Sequence, residues 1–139
     1  MTRSLSFGLH HLETARHYGS SEIQLGLALI KIKDSKRILQ TKIPPKLDAK
    51  EFECDLELSY QNLGYQKLDL LSIHGINTYE HLQNTLRPQG CLDVVRKWQK
   101  EGKIGHVGFS SHGSTELITD AIESNYFDYV NLHWYFINQ

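Results

Sequence analysis

The side chains that can do chemistry in this sequence fall at regular places. Glu13 closes the stretch LHHLE, and Tyr18 comes five residues later. Thr41 and Lys42 stand near the end of ILQTKI. Ser72 and His74 stand at the end of LDLLSI, and Ser110, Ser111 and His112 at the end of IGHVGFSS. Asn131 and His133 belong to YVNLHW. Carboxylate, phenol, ammonium, imidazole and hydroxyl groups are the ones that move protons and hydrogen-bond ligands. A single polar residue at a strand end simply meets water. Five successive stretches ending this way ask for more, because Glu13, Lys42 and His74 lie on or beside apolar runs, where an unpaired polar group is costly.

These stretches must be positioned by a fold. They begin near Leu9, Ile38, Leu68, Ile104 and Tyr129, at steps of 29, 30, 36 and 25 residues. About 30 residues is the length of one βα unit, and strands alternating with helices imply a parallel sheet covered by helices. Helical patterns fill the intervals. Ser21 with Gln24 reads as a capping box ahead of Ile23, Leu27 and Ile30, and Gly26 within that helix suggests close packing. Asp48 with Glu51 caps a second helix carrying Phe52, Leu56, Tyr60 and Leu63, which Gly64 ends. Cys91, Val94, Val95 and Trp98 form a third stripe, stopped by Gly102. Ser114 caps a fourth, with Leu117, Ile118, Ala121 and Ile122 facing inward. All four stripes read as core.

Composition narrows the function. The 139 residues hold 15 Lys plus Arg against 16 Asp plus Glu, a net charge of -1. That balance lacks the basic field of a nucleic-acid binder or a polybasic membrane anchor. No apolar run approaches the roughly 18 residues of a membrane span, and His10 and His11 break the opening segment as a secretory signal. Cys54 and Cys91 form no CxxC pair and fit a reduced, cytoplasmic protein. Residues 1–139 read as one domain without a linker. An eight-unit barrel needs about 240 residues at this spacing, close to the roughly 250 typical of such barrels. The chain holds four to five units, so it reads as a five-stranded open sheet or as part of a barrel. In either, ligands bind beyond the carboxyl ends of the strands.

Four motifs in register resemble the aldo-keto reductases. LHHLETARHYGSSEIQLGLAL is similar to that family's second-strand motif, ILQTKI to its third-strand Thr-Lys, LDLLSIHG to its fourth-strand Asp-x-x-x-x-His, and EGKIGHVGFSSHG to its Gly-Lys-Ile, Gly-x-Ser stretch. The resemblance runs from about Gly8 to Gln139. It implies an incomplete (β/α)8 TIM barrel, with about five parallel strands and covering helices, that spans the second to sixth βα units and lacks the first and the last two strands. It implies NAD(P)H-dependent reduction of a small-molecule aldehyde or ketone, without a metal, by Tyr18, Lys42, Glu13 and His74. A free phenol has a pKa of about 10, and an ammonium beside a phenol stabilises its anion. The resemblance gives Tyr18 the role of general acid, Lys42 that of its cation, and Glu13 that of orienting Lys42. His74 then orients the substrate oxygen. Many members carry Asp where Glu13 stands, so the longer carboxylate must still reach Lys42. Ser110, Ser111 and Asn131 resemble the groups that hold the nicotinamide carboxamide, for which Asn131 can both donate and accept.

The resemblance places the grip on the cofactor phosphates in loops after strands this chain lacks, and no Gly-rich phosphate cradle replaces them. Weak cofactor binding and slow or absent turnover are therefore expected of the chain alone. Two open strand edges and an uncovered apolar face are expected as well. The alternatives are a flavodoxin-like cofactor- or phosphate-binding module, a metal-dependent hydrolase using His74, His112 and His133, a Schiff-base aldolase using Lys42, and an inactive truncated gene product.

Overall fold

All five apolar stretches form strands. The computed structural model describes residues 2–31, 37–64 and 67–133. In it β1 (His11–Glu13), β2 (Ile38–Ile43), β3 (Leu68–Ile73), β4 (Ile104–Ser111) and β5 (Tyr129–Leu132) pair in parallel, in the order β1-β2-β3-β4-β5. A doubly wound sheet reverses its strand order at a switch point. The strictly sequential order therefore excludes the flavodoxin-like alternative.

The helices are α1 (Thr2–Ser6), α2 (Ser21–Leu29), α3 (Ala49–Leu63), α4 (Tyr79–Leu86), α5 (Cys91–Lys100) and α6 (Thr115–Glu123). Asp48 caps α3 by accepting from the Lys50 amide at 2.8 Å, and Gly64 ends it at φ 64°. Only a residue tolerant of the left-handed region closes a helix this way. Ser114 caps α6 through the Leu117 amide. None of the four helical patterns in the sequence marked α4, which Thr78 caps through the His81 amide at 3.2 Å.

Alternate strand residues point to opposite faces. Leu39, Ile43, Leu71, Ile73, Val107 and Phe109 take one face and pack with Phe52 and Leu56 of α3, Val95 and Trp98 of α5 and Leu117 of α6, all buried. The other face carries Glu13, Gln40, Lys42, Ser72, Ser110 and Asn131. In a flat sheet β2 and β5 would lie roughly 14 Å apart, at about 4.8 Å per strand. Yet the Gln40 amide of β2 donates to the Asn131 carbonyl of β5 at 2.7 Å, and Asn131 also reaches Glu13 of β1. Only strong curling permits these contacts, so the sheet is a half-barrel with this second face inside. The uncovered face expected to be apolar is thus polar. Its charges and amides satisfy one another, which is what makes such a surface tolerable.

The inward stripe expected on α2 is reversed. Ile23, Leu27 and Ile30 are 47%, 61% and 80% exposed, while Glu22, Gly26 and Leu29 are buried. Two features override the hydrophobic pattern. Glu22 accepts from the Thr41 hydroxyl at 2.8 Å and the Asn62 amide at 3.2 Å, with the Arg16 guanidinium 3.6 Å away. Gly26 lets α2 meet the end of α3, where a Cβ would stand 2.4 Å from the Asn62 carbonyl oxygen. The capping box expected of Ser21 and Gln24 does not form: Gln24 donates to the Ser20 hydroxyl, the Ser21 hydroxyl accepts from Thr14, and Ser20 at the N-cap makes no side-chain cap bond. Gly26→Ala would gain about 1 kcal/mol of helix propensity but drive its methyl into backbone. We expect a net loss of roughly 1–3 kcal/mol, read as a lower midpoint in urea unfolding.

Candidate active site

The loop after β1 is tied to the end of β2. The Thr14 amide donates to the Gln40 carbonyl at 3.0 Å and the Arg16 amide to the Lys42 carbonyl at 2.9 Å. Arg16 also lies 3.7 Å from Asp55 of α3. The Tyr18 amide then turns back to the Ala15 carbonyl, and the Ser21 amide to that of Tyr18. Tyr18 is thereby held beside Lys42, with the Lys42 ammonium 5.0 Å from the centre of its ring. An ammonium over an aromatic face is an attractive arrangement.

Lys42 is 3% exposed and Glu13 40% exposed. A buried ammonium needs a partner, and Lys42 Nζ donates to Glu13 Oε1. The extra methylene of Glu13, relative to Asp, does not prevent this contact. Tyr18 is half exposed and lines the cavity, and its ring meets the His74 ring edge-on, with centroids 5.6 Å apart.

His74 follows β3. Burial pulls its pKa below the ordinary value, the Lys42 charge and then His17 lower it further, and Glu13 opposes them. Its Nδ1 is buried without a hydrogen-bond partner. A buried lone acceptor is tolerated better than a buried lone N–H, so the favoured neutral tautomer carries its proton on Nε2. Stability follows from this shift. Above pH ~6.5, the ordinary histidine value, folded and unfolded His74 are both neutral. As pH falls below it, the unfolded chain takes up the proton that the folded site resists, so stability drops with falling pH. We expect His74→Gln to flatten this decline in unfolding measured from pH 8 to pH 5.

Glu13, Tyr18, Lys42 and His74 line one cavity of about 170 Å³, together with Ser110 and Asn131. His112 and His133 also line it, their rings 4.5 Å apart. A larger concavity of about 450 Å³ beside Asp48 and Arg87 holds none of the four. Ser110 and Asn131 are register partners on β4 and β5, and the Ser110 hydroxyl accepts from the Gly75 amide at 3.0 Å. Ser111 is a correction. It is next to Ser110 on a strand and so points to the opposite face, where its buried hydroxyl donates to the Ile76 carbonyl at 2.6 Å and accepts from the Gly113 amide. It does not line the cavity.

Sequence reading passed over Gln40 and Tyr129, and noted Ser72 only as a polar strand end. Gln40 is fully buried and donates to Ser72 at 3.0 Å and to Asn131, and Tyr129 lies 3.1 Å from Ser72. Gly108 makes room for the Tyr129 ring, since a Cβ there would lie 2.6 Å from it. The available signal was alternation. Gln40 and Lys42, Ser72 and His74, and Tyr129 and Asn131 are each two residues apart and therefore share a face.

Among the described residues, no group of three or more His, Cys, Asp or Glu side chains is placed to hold a metal ion. No helix there is long and apolar enough to cross a membrane. Both cysteines are free.

A family model described as the aldo/keto reductase family matches residues 1–136. None of the curated proteins compared with the chain matches it. Among solved structures, an aldo-keto reductase of Bacillus halodurans in its holo form is 20% identical, with a TM-score of 0.79 over 96% of this chain and 46% of that one. The glycerol dehydrogenase of Gluconobacter oxydans is 21% identical, with a TM-score of 0.74 over 94% of this chain and 42% of that one. An aldo-keto reductase from a Medee basin deep-sea metagenome library is 24% identical, with a TM-score of 0.64 over 77% of this chain and 38% of that one. At these identities the likeness shows the fold, a partial (β/α)8 barrel. The chain spans about half the length of the structures it matches.

Proposed function

The chain belongs to the aldo/keto reductase family, and we propose that its cavity is the proton-transfer and nicotinamide end of an oxidoreductase site that reduces a small-molecule aldehyde or ketone. The observation that carries this reading is the buried Lys42 ammonium, paired with Glu13, stacked on Tyr18 and sharing one cavity with His74.

The side chains fit a nicotinamide. Ser110 and Asn131 stand side by side at the cavity, about 5 Å apart as neighbours in a sheet, which suits the two polar ends of a carboxamide. Reduced nicotinamide, as NADP(H) or NAD(H), would supply the hydride that attacks a carbonyl carbon. Negative charge then grows on the carbonyl oxygen, and this chain's groups meet it. The His74 Nε2–H orients that oxygen. The Tyr18 hydroxyl gives it a proton and is left as a phenolate, which the Lys42 ammonium stabilises. Glu13 keeps Lys42 paired and in place. Tyr18 thus gives the proton, and the cofactor, when bound, would give the hydride that completes the two-electron reduction. Ser111, committed elsewhere, has no part in this.

The described residues of the cavity would meet the nicotinamide end of such a cofactor, so reduced nicotinamide mononucleotide is the ligand that probes them. Titration of the chain with reduced nicotinamide mononucleotide tests the reading by NMR. We expect shift changes concentrated at His74, Ser110 and Asn131. Changes confined to the surface beside Asp48 and Arg87, or none at millimolar ligand, would overturn it.

A further inference from the structure

The inside of the half-barrel holds a hydrogen-bonded chain that the proton-transfer reading does not use, running through His11, Gln40, Ser72, Tyr129, Asn131 and Glu13. The geometry points to Gln40 as a positioning residue that, with Ser72, locks the Asn131 side-chain amide so that only its donor edge is offered to a ligand.

The carboxylate end of the chain sets its direction: Glu13 only accepts, so Asn131 turns Nδ2 toward it and Oδ1 toward Gln40 and Ser72. Burial pushes the Tyr129 phenol up, so it keeps its proton. It can donate to the Ser72 hydroxyl, 3.1 Å away. An inward Asn131 Oδ1 calls for a donor, so Gln40 turns its amide end inward and its carbonyl to His11 Nε2, 2.7 Å away, which then carries the proton. That amide donates to Ser72 at 3.0 Å and to Asn131 Oδ1 at 2.7 Å. The Ser72 hydroxyl, already accepting, gives its own proton to Asn131 Oδ1 at 2.9 Å. Both lone pairs of Asn131 Oδ1 are then taken. Its Nδ2 is left facing Glu13 Oε2 at 3.4 Å, on the cavity side. Turning the amide round would set NH₂ against NH₂ and a carbonyl against a carboxylate, forfeiting both bonds to Oδ1. Gln40 is fully buried, so water cannot take its place.

One consequence revises the sequence reading of Asn131 as both donor and acceptor. It can only donate, so it selects a ligand oxygen that accepts. If the nicotinamide reading holds, that atom is the carboxamide oxygen, and the carboxamide NH₂ must find its acceptor at Ser110. The lock itself rests on the hydrogen bonds, and only the identity of the ligand rests on the proposed function.

The lock is tested on the ligand-free, ¹⁵N-labelled chain. Side-chain relaxation should show the Asn131 amide nearly as ordered as rigid backbone, with S² near about 0.85, and Gln40→Leu should drop it below about 0.6. Ser72→Ala, which removes one of the two bonds to Oδ1 and keeps the Gln40 donor, should lower the order less than Gln40→Leu does. If Gln40→Leu fails to fold, Gln40→Glu keeps the shape and, above the pH at which its buried carboxyl ionises, offers acceptors only. It should turn the Asn131 amide and abolish the response of its NH₂ signals to Glu13 titration. An Asn131 amide as ordered in Gln40→Leu as in the parent, or still reporting Glu13 in Gln40→Glu, overturns the lock. A separate arm compares reduced nicotinamide mononucleotide with its 3-acetylpyridine analogue, which keeps the oxygen and loses the NH₂. Gln40→Glu should weaken both at least about tenfold. Intact binding in that variant, with the amide shown to have turned, overturns the placing of the nicotinamide at Asn131 and leaves the lock standing.

Discussion

Tyr18→Phe is expected to slow carbonyl reduction by about 10²- to 10⁴-fold, the usual worth of a positioned general acid, while the protein folds as before. The substitution removes one oxygen. The ring that lies under Lys42 and meets His74 edge-on remains. Because Tyr18 is half exposed, its loss of polarity should change stability by no more than about 0.5 kcal/mol. The rate loss corresponds to roughly 3–5 kcal/mol of transition-state stabilisation, far outside that margin. Steady-state reduction of an aldehyde, with thermal unfolding of both proteins, separates the two. A parallel fall in stability and rate would mean that Tyr18 is a packing residue.

The second large effect concerns the Glu13–Lys42 pair, whose two halves should behave differently. Lys42 is almost fully buried and Glu13 is substantially exposed. Glu13→Ala leaves a buried ammonium without its partner, a change that costs about 3–5 kcal/mol in closed interiors. The cavity here admits water, so we expect about 3 kcal/mol. Lys42→Met leaves a carboxylate that can still reach water and removes the ion that was hard to bury. Its stability should stay within about 1 kcal/mol of the parent. Activity should fall in both variants. In Lys42→Met it should fall about as far as in Tyr18→Phe, and the double variant should be little worse, because the two act as a unit. Urea unfolding of the two single variants reads the asymmetry directly. Equal destabilisation would mean that Lys42 is not the buried member of the pair.

The strands were legible because each is a short apolar run ended by polar residues, α3 because its cap and stripe agree, α5 by its stripe, and α6 by its cap with Leu117 and Ala121, although Ile122, expected inward, is half exposed. α2 was not. Its buried face centres on Glu22 and Gly26, and no hydrophobic pattern marks a carboxylate that will find Thr41 and Asn62, or a glycine that will meet a carbonyl. Motif spacing brought out Glu13, Tyr18, Lys42 and His74. Ser111 was misplaced because adjacent strand residues face opposite ways, so a motif ending in two serines can send only one into the cavity. Gln40 escaped notice because its partner Asn131 is 91 residues away and becomes a neighbour only once the sheet curls. The same curling explains why the uncovered face is polar, since its side chains satisfy one another across the hollow.

The central claim is that one cavity, built by Tyr18 over Lys42, is where a carbonyl is reduced. The most direct measurement follows deuterium from a reduced nicotinamide cofactor labelled at the transferring position into an aldehyde, analysing the alcohol by mass. With cofactor at millimolar concentration to offset weak binding, the account predicts slow transfer of one deuterium to the carbinol carbon by the parent protein and a yield at least about a hundredfold lower with Tyr18→Phe. Label appearing at the parent yield in Tyr18→Phe would contradict it.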